Sequence, residues 1–147
     1  MKTTTLLLAC LLALAALAPA RASAQAALVV GVDPALYTAA VAGARAWTDT
    51  GHVSFVVVAG CGRGDVNICH VPGGGGAYGW PVAVYYVGTP WIEVFLLDQW
   101  SPFAACHELG HYLGLFGHRD DNRSCMSIDQ VHAPPYPDAA DLAALGS

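Results

Sequence analysis

The sequence predicts an α/β domain: a mixed sheet of about five strands, one helix crossing between the first two strands, and two later helices. Three observations carry this. Short β-branched or apolar runs recur at residues 27–32, 53–59, 65–71, 81–87 and 91–97. Between the first two runs, Leu36, Ala40, Val41, Ala44 and Trp47 are spaced by three and four, the period of one helix face. Two further helical stretches lie near the C-terminus, one opened by Ser101-Pro102 and one by Pro137-Asp138.

Taken in order, the first strand ends at Asp33-Pro34 and the helix from residue 34 to 48 stops near Gly51. A strand, a helix and a strand in succession imply a crossover with parallel pairing. The four glycines at 73–76 read as a flexible surface loop, because neither a following helix nor a Gly-Lys-Ser/Thr supports a phosphate cradle. Residues 81–87 and 91–97 are separated only by Gly88-Thr89-Pro90, which suits an antiparallel pair. Ser101 is placed as an N-cap and Pro102 at the first helical position, and the helix should stop at Gly114 or soon after. Residues 117–132 read as loop and 138–145 as a last helix.

The first 24 residues stand apart. Lys2, an apolar run at 6–17, the breakers Pro19 and Arg21, and Ala22-Ser23-Ala24 have the layout of a secretory signal peptide. The run is too short for a comfortable membrane span. The expectation is therefore a secreted chain with a signal peptide at 1–24, one domain at 25–147, and no membrane association once the signal is removed. Without the leader, four arginines (Arg45, Arg63, Arg119, Arg123) face eleven acidic residues, a net charge of −7 with no lysine. Such a domain lacks the clustered cations that neutralise phosphates, so nucleic acid is not an expected partner. Of five cysteines, Cys10 falls in the leader; Cys61, Cys69, Cys106 and Cys125 remain. An even number in an exported chain reads as two disulfides, and the local pairing, 61 with 69 and 106 with 125, is favoured. No Cys-x-x-Cys pair supports a cysteine metal site.

The chemistry concentrates in His107-Glu108-Leu109-Gly110-His111. Histidines four apart project from one helix face, one turn above the other, and both can reach one zinc at about 2.0–2.1 Å. Glu108 lies too far round the helix to bind the same ion, yet close enough to take a proton from a water there. Gly114 follows three residues after His111, then His118, then Ser124-Cys125-Met126-Ser127.

These residues resemble the metzincin zinc metallopeptidases, and within them the small secreted snapalysin-type and matrixin-like enzymes. The close resemblance covers residues 101–145. It implies a metzincin-like twisted mixed sheet with a crossover helix, an active-site helix and a C-terminal helix. It also implies one catalytic Zn²⁺, with Glu108 as general base and acid in peptide-bond hydrolysis. Gly114 would let the chain leave the helix, and Met126 would form the turn beneath the metal. Pro135 and Tyr136 are similar to the wall of the matrixin specificity pocket, which makes them candidate substrate-binding residues. One departure matters. The family places its third ligand three residues after the glycine, where this chain has Gly117. His118, one residue later, is assigned instead, with Asp120 and Asp121 as the fallback.

The expected partner is a peptide or protein substrate, and the expected state a monomer. No pro-segment with a zinc-blocking cysteine is legible, so latency would be absent or come from a separate protein inhibitor. Two rival roles stand beside this one: a disulfide-closed binding loop displaying Arg63-Gly64-Asp65, and a zinc domain that binds peptide without cleaving it. Glu108 argues against the second, because a purely structural site does not need it.

Overall fold

A computed structural model describes residues 26–72 and 82–146; the leader and the glycine run at 73–76 lie outside the described residues. The elements follow the predicted order: β1 (Leu28–Val32), a 3-10 turn (Pro34–Leu36), α1 (Tyr37–Thr48), β2 (Phe55–Ala59), β3 (Val66–His70), β4 (Ala83–Tyr85), β5 (Trp91–Val94), a second 3-10 turn (Leu97–Gln99), α2 (Pro102–Tyr112) and α3 (Ala139–Leu145).

The five strands form one mixed sheet in the order β2-β1-β3-β5-β4. β1 runs parallel to both β2 and β3, and β3 parallel to β5, so the strand–helix–strand unit is a parallel crossover as expected. β4 alone is antiparallel, paired to β5 in the register Val84↔Glu93. Val30 and Val32, Val66 and Ile68, Ile92 and Val94 are each two residues apart, so each pair shares one face of its strand, and all six are fully buried. Burying each such side chain is worth roughly 1.5–3 kcal/mol, so this apolar layer dominates the stability of the sheet. Leu36, Ala44 and Trp47 from the α1 side, with Phe103 and Leu109 of α2, complete the same core. Trp47 also donates its indole N–H to the Cys106 carbonyl at 2.8 Å, joining α1 to the middle of α2.

Element ends shift where side chains cap the backbone. The helix expected from residue 34 begins as a 3-10 turn, because the Asp33 carboxylate accepts the Ala35 N–H at 3.0 Å and Pro34 offers no N–H. β2 starts only at Phe55, whose N–H is taken by the Thr48 hydroxyl at 3.0 Å. β4 ends early because Tyr86 turns the chain: its carbonyl accepts both the N–H and the hydroxyl of Thr89.

Both disulfides have the local pairing, Cys61–Cys69 and Cys106–Cys125, with Cα–Cα distances of 5.5 and 5.9 Å. Within the first loop, one Asp65 carboxylate oxygen accepts the Val29 N–H at 2.8 Å, so Arg63-Gly64-Asp65 forms the turn into β3 and its acid is engaged by β1. Among the described residues, no helix is long and apolar enough to cross a membrane.

Candidate metal centre

The site begins with a well-specified helix start. The Ser101 hydroxyl accepts the Ala104 N–H at 3.3 Å and Pro102 occupies the first turn. That sets the phase of α2, so that Phe103, Cys106 and Leu109 enter the core. His107 and His111 share an adjacent, half-buried face, with ring centroids 4.6 Å apart. The helix ends at Gly114, whose φ of +102° is in the region that side chains disfavour. This reversal folds the next residues back, and the Leu115 carbonyl comes to lie 2.6 Å from His111 Nδ1.

His107 is held in the same manner, with Nδ1 at 2.6 Å from the Cys125 carbonyl. A carbonyl can only accept, so both Nδ1 atoms carry the proton. Burial lowers the pKa of both rings, that of His107 to about 4, helped by the neighbouring imidazoles against the opposing pull of the carbonyls. Both rings are therefore neutral near pH 7, and each Nε2 presents a bare lone pair.

Those lone pairs face one another. His111 Nε2 lies 3.0 Å from His107 Nε2 and 3.2 Å from His118 Nε2. Ligands at tetrahedral angles and about 2.05 Å from zinc stand roughly 3.3 Å apart, so the spacing fits one such ion. Unprotonated nitrogens this close repel unless a cation sits between them. The three histidines are the group among the described residues able to hold a metal, and His118 reaches it from the loop just after Gly117. The fallback acids do not join them: Asp121 pairs with Arg119 at 2.6 Å and Asp120 is exposed.

Glu108 is buried beside this cluster. Its carboxylate accepts the Tyr85 N–H, while Oε2 has no hydrogen-bond partner among the described residues. Burial raises its pKa to about 7, only partly opposed by the Tyr85 N–H; a divalent ion alongside would draw it down again. Glu108 and the histidines open into a cavity of about 390 Å³. It is also lined by β4, by Phe103 and Ala104 of α2, and by Ser127, Ile128 and Gln130.

Met126 is fully buried beneath α2, packed so tightly that a Cβ at Gly110 would overlap its sulfur. Its N–H is held by the Ser124 hydroxyl at 2.9 Å and its carbonyl accepts the Arg119 N–H at 2.9 Å. Pro135 and Tyr136 are not brought into the cavity. Both are exposed, and Tyr136 contributes a backbone carbonyl that accepts the Cys125 N–H at 2.9 Å. Ile128 and Gln130 line the cavity instead, and no local sequence pattern marks them. His132 pairs with Asp129 at 2.8 Å, remote in role from the histidine cluster.

In comparison with known proteins, the chain matches no family model and no curated sequence. The motif residues and the geometry they adopt therefore carry the functional argument.

Proposed function

We propose that this chain is a secreted zinc-dependent endopeptidase of metzincin type, with His107, His111 and His118 as metal ligands and Glu108 as general base and acid. The observation that carries this reading is one cavity holding three converging histidine Nε2 atoms and the unpartnered oxygen of a buried carboxylate. A structural metal site would need the first and not the second. Zinc bound there would supply Lewis acidity, lowering the pKa of a bound water and polarising a substrate carbonyl.

The chain's own groups account for the remaining steps. Glu108, with one face anchored by Tyr85 N–H, takes the proton of the attacking water through its free oxygen. It then delivers that proton to the leaving amine. Substrate orientation falls to β4. Because Phe95 N–H bonds to the Val82 carbonyl and Tyr86 N–H to the Trp91 carbonyl, alternation turns the backbone groups of Ala83 and Tyr85 away from β5. An extended peptide can pair with the Ala83 N–H and carbonyl and with the Tyr85 carbonyl on this edge, the Tyr85 N–H being held by Glu108.

Glu108→Gln tests the reading. The amide keeps the shape but cannot accept the proton, so the variant is expected to bind one zinc per chain and to lose peptide hydrolysis by at least about 100-fold. Comparable turnover by the variant against a peptide library would refute the assigned base. A wild-type chain that binds zinc and peptide yet cleaves nothing would make it a binder and not an enzyme.

A further inference from the structure

The three candidate ligands are not supported alike. His107 and His111 stand on a capped helix, and each is oriented by an Nδ1–carbonyl hydrogen bond. His118 is exposed, sits on a loop, and makes its polar contact with the cluster itself, through His111 Nε2. Something other than a helix or a ring hydrogen bond must place it.

The next residue has the needed anchorage. Arg119 N–H donates to the Met126 carbonyl at 2.9 Å and the Arg119 carbonyl accepts the Ile128 N–H at 3.1 Å. These two bonds fasten the backbone beside His118 to the turn beneath the metal. The guanidinium then reaches three carboxylates: Nη2 to Asp121 at 2.6 Å, and Nη1 to Asp138 at 2.5 Å and Asp141 at 3.4 Å. Asp138 and Asp141 are the N-cap and third residue of α3, each hydrogen-bonded to the other's backbone. An arginine, with a planar fork of donors and less than a quarter of its side chain exposed, is suited to bridge separate carboxylates in this way.

We propose that Arg119 is the positioning residue of the third metal ligand: it locks the backbone of His118 between the Met126 turn and α3, and so makes the C-terminal helix part of the metal centre. The proposal rests on the zinc reading above and adds to it a residue that touches neither metal nor substrate. Gly117, the additional residue in the loop, makes the need plain, because a longer and freer approach to the metal requires a firmer hold after it.

The test is a zinc-affinity cycle on the whole mature chain, read by competition with a chromophoric chelator and by the cobalt(II) absorption spectrum. Arg119→Ala is expected to weaken zinc roughly 10- to 100-fold, the range for partners that orient a metal ligand. Its cobalt spectrum should shift towards that of His118→Ala, and Arg119→Lys should recover part of the affinity. In a His118→Ala background, Arg119→Ala should add no further loss, because its effect runs through that ligand. Arg45→Ala, which removes an exposed charge paired to Asp49 on α1, serves as the control and should leave affinity unchanged. If Arg119→Ala does not fold, Asp138→Asn keeps the helix cap and removes the nearest α3 charge, and should weaken zinc severalfold. Wild-type affinity and spectrum in a folded Arg119→Ala or Asp138→Asn protein, or a fully additive loss in the double variant, would overturn the proposal. A wild-type chain that binds no zinc would overturn the metal reading itself, and a zinc-binding wild type matched by Arg119→Ala would overturn only the clamp.

Discussion

The two disulfide-closed loops use the same crosslink for different ends. The Cys61–Cys69 loop, with a sequence separation of 8, satisfies itself locally. The Asn67 carboxamide accepts from Gly62 and Gly64 and donates back to Gly64, and Asp65 fastens the turn to β1. The Cys106–Cys125 loop, with a separation of 19, starts one residue before His107 and ends at the residue whose carbonyl orients His107. Between its ends lie Glu108, all three histidines and Arg119. What a disulfide does is set by the backbone groups it places. The first braces a turn, and the second holds the carbonyl that orients His107 beside the histidine cluster.

Replacing each pair by serines separates the two roles and should give the largest effect. In the chain-entropy model the longer loop is worth about 3 kcal/mol and the shorter about 2.5 kcal/mol, nearly the same loss of stability. Zinc affinity should distinguish them. Cys106→Ser with Cys125→Ser frees the carbonyl that orients His107 and should weaken zinc about 10- to 100-fold in protein that remains folded. Cys61→Ser with Cys69→Ser should leave zinc affinity within about twofold of wild type. Equal zinc losses, measured under conditions where both variants are folded by circular dichroism, would erase the distinction.

Much of the second loop's front half was legible in the sequence, because it obeys local rules. Ser101-Pro102 caps a helix, histidines four apart share its face, and Gly114 ends it; each of these needs only neighbours within a turn or two. The disulfides were legible as the nearest pairing, and the strand–helix–strand order as a parallel crossover. The rear half was legible only in part. His118 could be chosen by its ligand chemistry, but the cation that holds its backbone pairs with Asp138 and Asp141, which no period or motif links to it. No local pattern therefore marks Arg119 as part of the site. Strand ends moved for a related reason: the caps on β2 and on the turn after β1 come from Thr48 and Asp33, side chains whose direction is set only in the folded chain.

The join between this loop and α3 should also respond to pH, with a smaller effect. Burial pushes the Asp138 carboxyl up, but the Asp141 and Ala140 N–H groups and Arg119 together outweigh it and hold its pKa below the ordinary value. A depressed folded pKa contributes stability that is present above the unfolded value of about 3.9 and is lost as pH falls through the folded one. Asparagine caps a helix about as well as aspartate, so Asp138→Asn removes the charge and keeps the cap. Thermal unfolding of the metal-free chain should therefore show wild type above Asp138→Asn by a constant margin between about pH 5 and 7, with the margin closing as pH falls below the unfolded carboxylate value. A margin unchanged at acid pH would mean that the pairing with Arg119 does not depend on ionised Asp138.

The smallest expected effect concerns Tyr136, where motif and structure part. As a likeness to a specificity-pocket wall, its ring would line the cleft. In the structure the residue is 55% exposed, and its defined contact is its carbonyl, which accepts the Cys125 N–H at 2.9 Å. A backbone carbonyl survives any side-chain replacement, so Tyr136→Ala removes the ring and leaves the anchor of the disulfide loop in place. Ile128, by contrast, lines the cavity, although 63% of the residue is exposed. Tyr136→Ala should therefore change kcat/KM on any cleaved peptide by less than about twofold. Ile128→Ala removes apolar contact surface, and an apolar pocket discriminates by roughly 1–3 kcal/mol per methylene gained or lost, so it should alter the preference among apolar side chains by about tenfold or more. A large loss in Tyr136→Ala, with Ile128→Ala unaffected, would mean that residues 132–136 close over the cleft when substrate binds and that the ring, not the carbonyl, is this residue's part in the site.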